Sequence, residues 1–238
     1  MSAHPRHHKP IVFGPEKFAN QLGGADPALI SAAAYESAHA ILGRARTHSD
    51  PTVITRLVEF TDHYGLETIA EMWSQAAAVS TPGVLWRMYA LRHTIRKNPS
   101  LISHYYTLGM ESDQVSRVVS GVADPPTDRE IVSTVDTILT GAYTGEFDVA
   151  LERFAAFCKV VALGQDAVAH HLHFGETINS SPEAPQPANN PPTLEPSLEV
   201  RKEVDRKARN LRAGANRLTT VAAELEAAAA KWRLGTLD

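Results

Sequence analysis

The 238-residue chain has one cysteine, Cys158. It can form no internal disulfide, so stability must come from packing, and a reducing compartment is the expected setting. No stretch approaches the roughly 20 apolar residues of a spanning helix, which predicts no membrane partner. The first ten residues are rich in His, Arg and Pro, with no apolar run behind them, and do not read as a secretory signal. Together these absences predict a cytoplasmic protein. An excess of one charge is also missing. Twenty-three basic residues stand against 27 acidic ones, a formal charge of −4, so the chain as a whole has no attraction for nucleic acid or an acidic membrane.

Signatures of chemistry are equally scarce. The glycines never form a Gly-x-Gly-x-x-Gly or P-loop pattern, and neither a Gly-x-Ser-x-Gly elbow nor His-Glu-x-x-His occurs. The expectation is no cofactor and no metal, and the reading leans away from an enzyme. Period-two alternation is absent too: Val118-Val119 is too short to count as a strand.

What the chain does have is helical periodicity with helix-start signals. Asp26-Pro27 and Asp50-Pro51 each set a capping carboxylate before a proline, which loses nothing at the first helical position by lacking an N–H. Thr81-Pro82 and Asn98-Pro99 read as the same device, and Thr127 with Glu130 has capping-box spacing. Between these signals apolar residues recur on one face. The first such set is Val53, Leu57, Phe60 and Tyr64, ended by Gly65. Leu66, Ile69, Ala70 and Trp73 form the next, then Leu85, Met88, Tyr89, Arg92 and Ile95. Ile131, Val135, Ile138 and Ala142 follow, and after them Phe147, Ala150, Leu151, Phe154, Cys158 and Val161.

The predicted fold is all-α, a multi-helix bundle or α-hairpin array. Residues 1–25 form an N-terminal arm, and residues 26–174 a helical domain of about eight helices with a loop and one helical turn near 111–126. Residues 175–197 are a linker holding six of the fifteen prolines, too polar to bury a core. Residues 198–234 form a long amphipathic helix. In it Ala208, Ala215, Ala222 and Ala229 recur every seven residues, as do Leu211, Leu218, Leu225 and Trp232. This is a heptad seam of small and large residues in turn. It predicts docking of the second half of the helix on the bundle, as a monomer, with a coiled-coil dimer as the alternative.

Other constellations have plainer readings. His4, His7 and His8 read as a solvated basic tail. Glu36 and His39 have the Glu-x-x-His spacing of di-iron bundles, but the second pair such a site needs is missing. Asp166 with His170, His171 and His173 reads as a helix C-terminus facing the dipole. Cys158 lies on an apolar stripe and reads as inert, and the tryptophans Trp73, Trp86 and Trp232 read as packing. Gly145, Phe147, Ala150 and Phe154 match half of a tetratricopeptide repeat, without the 34-residue repetition, and predict a tight hairpin. Arg92, His93 and Arg96 read as a basic helix end, with an anion-holding site as the alternative.

One charged cluster remains. Seven basic residues, Arg201, Lys202, Arg206, Lys207, Arg209, Arg212 and Arg217, stand against Glu203 and Asp205 in the segment 200–217. The plain reading is a solvated helix face; the sharper alternatives are contact with nucleic acid or with an acidic protein surface.

The segments RLVEFTDHYGLETIAEMWS, PGVLWRMYALR and TGEFDVALERFAAFCKV, with the end AAELEAAAAKWRLGTLD, resemble a family of uncharacterised actinobacterial all-helical proteins. The resemblance implies an all-α fold and a cytoplasmic location, and it transfers no functional site. The leading expectation is a non-enzymatic helical protein that recognises another protein. The alternative is a nucleic-acid or transcription-complex accessory factor using the segment 200–217. A third reading is an enzyme with an inter-helix site around Arg92.

Overall fold

The computed structural model describes residues 26–47, 50–122, 126–174 and 198–238. Among them are ten α-helices and no strand. The predicted arm with His4, His7 and His8 and the proline-rich segment 175–197 lie outside the described residues.

The capping chemistry explains most helix starts. Helix α1 spans Pro27–Thr47, and the Ala28 N–H donates to Asp26 Oδ1 at 2.9 Å. Helix α2, Pro51–Val58, begins with the Thr52 N–H donating to Asp50. The predicted single helix over 51–64 is two pieces, since the chain breaks at Glu59 before α3, Phe60–Tyr64. Its buried face also differs from the predicted one. Ile54, Val58 and Thr61 are buried, Val53, Leu57 and Phe60 are half-buried, and Tyr64 is exposed. Both neighbouring stripes are apolar in this segment, and periodicity alone does not choose between them. Gly65, at φ 82°, ends α3 and starts α4, Leu66–Trp73.

Helix α5, Thr81–Lys97, is capped by Ser80, not Thr81: the Gly83 N–H donates to the Ser80 hydroxyl. Asn98 precedes α6, Pro99–Gly109, without a side-chain capping bond. Asp113 caps α7, Gln114–Ser120, which is the helical turn expected in the weakly patterned zone. The predicted capping box forms at Thr127 and Glu130 to open α8, Asp128–Tyr143. Helices α9, Phe147–Phe174, and α10, Leu198–Arg233, are the two longest.

Helix α9 is the hub, packed by α6, α7, α8 and α10, while α5 bridges α1, α4, α8 and α10. The crossing of α6 and α9 is backbone against backbone. A Cβ on Gly109 would stand 1.9 Å from the Val160 carbonyl oxygen, and one on Gly164 would stand 1.7 Å from that of Tyr105. Only glycine permits that approach. One hydrophobic core runs from Ala34 in α1 through α5, α8 and α9 to Ala222, Leu225, Ala228 and Ala229 in α10. The last helix is therefore part of the core of the bundle. Beyond it Leu237 is buried, and the Thr81 N–H donates to the Asp238 carbonyl oxygen at 2.5 Å.

Candidate functional site

Helix α10 runs antiparallel to α9. Arg233 pairs with Asp148 and Glu152 at 2.7 Å each, Lys159 with Glu226 at 2.5 Å, and Gly214 lies against Gln165. The Trp232 ring meets Phe147 edge-on, with centroids 4.7 Å apart. On the other flank Arg87 of α5 holds Glu224 at 2.6 Å. The heptad residues lie inside this frame. Ala208, Ala215, Ala222 and Ala229 are buried, Leu225 is buried, and Leu211, Leu218 and Trp232 are half-buried. The alanines let α10 lie close to α9, and the large residues fill the flanks. Ala228 is also fully buried, a position outside the strict seven-residue repeat.

The first half of α10 behaves differently. By the register above, the last turn of α9 is level with roughly residue 206, at about 1.5 Å per residue, so the start of α10 passes beyond it. Arg201, Lys202, Arg206, Lys207, Arg209, Arg212 and Arg217 are all exposed. Lys202 and Arg206 make local pairs with Glu199 and Glu203, at 3.0 and 2.7 Å. At 100° per residue, all of them except Lys207 fall within about 160° of arc on one side of the alanine seam, with Arg201 and Arg212 at the edge next to Ala208. Leu198 and Val200 are exposed beside them.

Arg92 does not stand on the exposed basic face that the sequence predicts. Its side chain is completely buried. Its Nη1 and Nη2 donate to the two oxygens of Asp62 at 2.9 Å, and its Nε donates to Asp136 at 2.7 Å. Arg96 adds 2.7 Å to the other Asp136 oxygen and lies 3.6 Å from Asp62. Burial alone would raise the Asp62 pKa. The hydrogen bonds and charge of Arg92, with Arg96 and His63, outweigh it and hold the carboxyl below its ordinary range. Two guanidiniums thus meet two carboxylates, and the anion position imagined for Arg92 and Arg96 is filled by the protein's own Asp62 and Asp136. His93 is exposed and outside this cluster. One turn earlier the Tyr89 hydroxyl donates to the Leu57 carbonyl at 2.5 Å and lies 2.6 Å from the Tyr143 hydroxyl.

The sequence contained a signal for this network. Arg92 sits on the same stripe as Leu85, Met88, Tyr89 and Ile95, and an arginine on a buried stripe demands carboxylates. Which aspartates answer it depends on how α3 and α8 pack, which a one-dimensional pattern does not hold.

The remaining constellations are dispersed. Glu36 and His39 are exposed on α1, as are Asp166 and His170 on α9, with His171 half-buried. The side chain of His173 lies outside the described residues. Among the described residues no three His, Cys, Asp or Glu side chains converge as a metal site would require, and no helix is long and apolar enough to cross a membrane. Cys158 is buried, and burial pushes its thiol up to about 12, which leaves almost no thiolate at neutral pH. Gly145, at φ 108°, turns α8 into α9, and Phe147, Ala150 and Phe154 are buried against the hairpin, Ala150 in contact range of Gly141. Trp73 is fully buried, with its indole N–H donating to Ser37, while Trp86 is half-buried.

Comparison with protein-family models, with curated proteins and with solved structures finds no match.

Proposed function

We propose that the protein is a non-enzymatic helical interaction protein that recognises an acidic surface of another protein through the outward face of the first half of α10. One arrangement supports this reading. The alanine seam of α10 is spent on the bundle, while seven basic residues stand exposed along the helix and past the end of α9, six of them on one arc. A rigid helix with a positive face presents charge at fixed spacing, which favours electrostatic complementarity and fast encounter. In this reading the protein is a cytoplasmic monomer, related to the actinobacterial helical family that it resembles. The Arg92 cluster serves the fold and not a reaction, because its charges are matched internally.

The alternative use of the same face is nucleic acid, favoured by the clustering of those cations on one arc. One experiment separates the two. The protein and the variant Arg206→Glu/Arg209→Glu/Arg212→Glu are used to capture partners from native lysate, with and without nuclease. The proposal expects a protein partner that survives nuclease and is lost with the variant. Loss on nuclease treatment, together with affinity that falls steeply with salt, would establish the alternative. A partner that the variant retains in full would remove this face from the account.

A further inference from the structure

Between α5, α6, α9 and α10 lies a cavity of about 260 Å³. Its floor is buried and apolar: Ile95 of α5, Ile102 of α6, and Phe157, Cys158 and Val161 of α9. Leu218 and Val221 of α10, both half-buried, line it at its mouth. An engineered apolar cavity of about 150 Å³ holds one benzene, so by proportion this space suits an apolar body of about ten non-hydrogen atoms.

Three further features are at odds with a plain packing defect. First, Gln165 lines the cavity, and its Oε1 is buried without a hydrogen-bond partner among the described residues. Proteins rarely leave such an atom unpaired, and each case asks for a reason. Second, α10 carries Gly214 at this level, although alanine is the better residue inside a helix. A Cβ there would stand 2.8 Å from that same Oε1, so the glycine keeps room for the Gln165 amide. Third, Arg217 lines the cavity while remaining exposed to solvent, which puts a cation at its rim. Thr94, also lining it, has its hydroxyl committed to the Ala90 carbonyl at 2.8 Å. The polar groups offered to a ligand are therefore one side-chain amide and one guanidinium.

We infer that this cavity is a binding site for a small amphipathic carboxylate, with an aliphatic or aryl body on the Phe157–Val161 floor and a carboxylate on Arg217. The Gln165 amide donates from Nε2 to the carboxylate when its nitrogen faces the cavity, and accepts at Oε1 from a hydroxyl or N–H beside the carboxylate when its oxygen does. A guanidinium is the side chain best suited to a carboxylate, because its paired donors match the two oxygens. Since Gly214, Arg217, Leu218 and Val221 all belong to α10, the site exists only while α10 is docked, and ligand must stabilise the docked form by mass action.

The test uses the full chain with octanoate and octan-1-ol as probes, followed by methyl NMR and calorimetry. Octanoate should give saturable shifts confined to Ile95, Ile102, Val161, Leu218 and Val221, and should raise the melting temperature. The variant Arg217→Ala, at an exposed position, should fold normally, bind octanoate at least tenfold more weakly and leave octan-1-ol binding unchanged. A second variant, Val221→Trp, should fill the opening and abolish binding of both probes. The inference fails if the folded wild type gives no saturable shift at millimolar octanoate. Shifts lying elsewhere on the protein, or equal octanoate binding by Arg217→Ala, would also overturn it. Arg217 belongs to both readings, so the contact with an acidic protein surface is tested separately, by the variants at 206, 209 and 212, which do not line the cavity.

Discussion

At the scale of single residues, the molecule is defined by one buried charge. Arg92 is reached by two carboxylates that keep part of their surface in water, with Asp62 33% and Asp136 29% exposed. Removing one partner of a buried pair costs about 3–5 kcal/mol; the partial exposure of the aspartates places Arg92→Met near the lower end, about 3 kcal/mol, measured by urea unfolding at neutral pH. The same pair sets a pH dependence. The folded Asp62 carboxyl titrates below its ordinary 3.8, so its contribution is complete above that value and is lost as pH falls through the lower folded one. Wild-type stability should therefore fall as the pH drops below the ordinary carboxylate value of 3.8, and Arg92→Met should show a shallower drop. An equal slope in both proteins would assign the acid sensitivity elsewhere. The tyrosine pair gives a second residue-scale prediction. Tyr89 donates to the Leu57 carbonyl, leaving the Tyr143 hydroxyl to donate to Tyr89. Tyr89→Phe strands the buried Tyr143 hydroxyl and takes one donor from the half-buried Leu57 carbonyl, while Tyr143→Phe strands no donor, so the former should be the more destabilising by about 1–3 kcal/mol.

At the scale of elements, what was legible in the sequence is what local chemistry controls. The starts at Asp26, Asp50 and Thr127 could be read because a side chain caps a helix within its own three or four residues. The stripes Leu85–Ile95 and Phe147–Val161 could be read because each offers one apolar face. The pattern failed where two faces compete, as in 51–64, and where the partner lies on another element, as with Asp62 and Asp136. The Gly109–Gly164 crossing was also invisible, since nothing near either glycine announces that a carbonyl will lie against it. That crossing makes a strong prediction. Gly164→Ala should destabilise by about 3 kcal/mol or more, because no rotamer relieves a Cβ meeting the Tyr105 backbone. Gly43→Ala in α1, where nothing lies within 4 Å, should instead stabilise by about 0.5–1 kcal/mol. Thermal melts of the two variants should move in opposite directions.

At the scale of the whole molecule, the arrangement of α10 decides how the chain can be used. Its alanine seam is engaged on α9, its basic face is outward, and the cavity beneath it depends on its position. A helix that docked on a second copy instead would hide or rearrange all three. Leu218→Asp with Leu225→Asp should release it, because Leu225 is fully buried and Leu218 packs against the core; amide exchange along 208–233 should accelerate while α8 stays protected. The most direct test reads which chain α10 rests on. Lys159 and Glu226 touch at 2.5 Å, within reach of zero-length carbodiimide coupling. Equal amounts of ¹⁴N- and ¹⁵N-labelled protein are mixed, equilibrated and coupled, and the Lys159–Glu226 linked peptides are weighed. Docking within one chain predicts only all-light and all-heavy pairs. Mixed light–heavy pairs at the statistical proportion would contradict it and establish the coiled-coil exchange between copies.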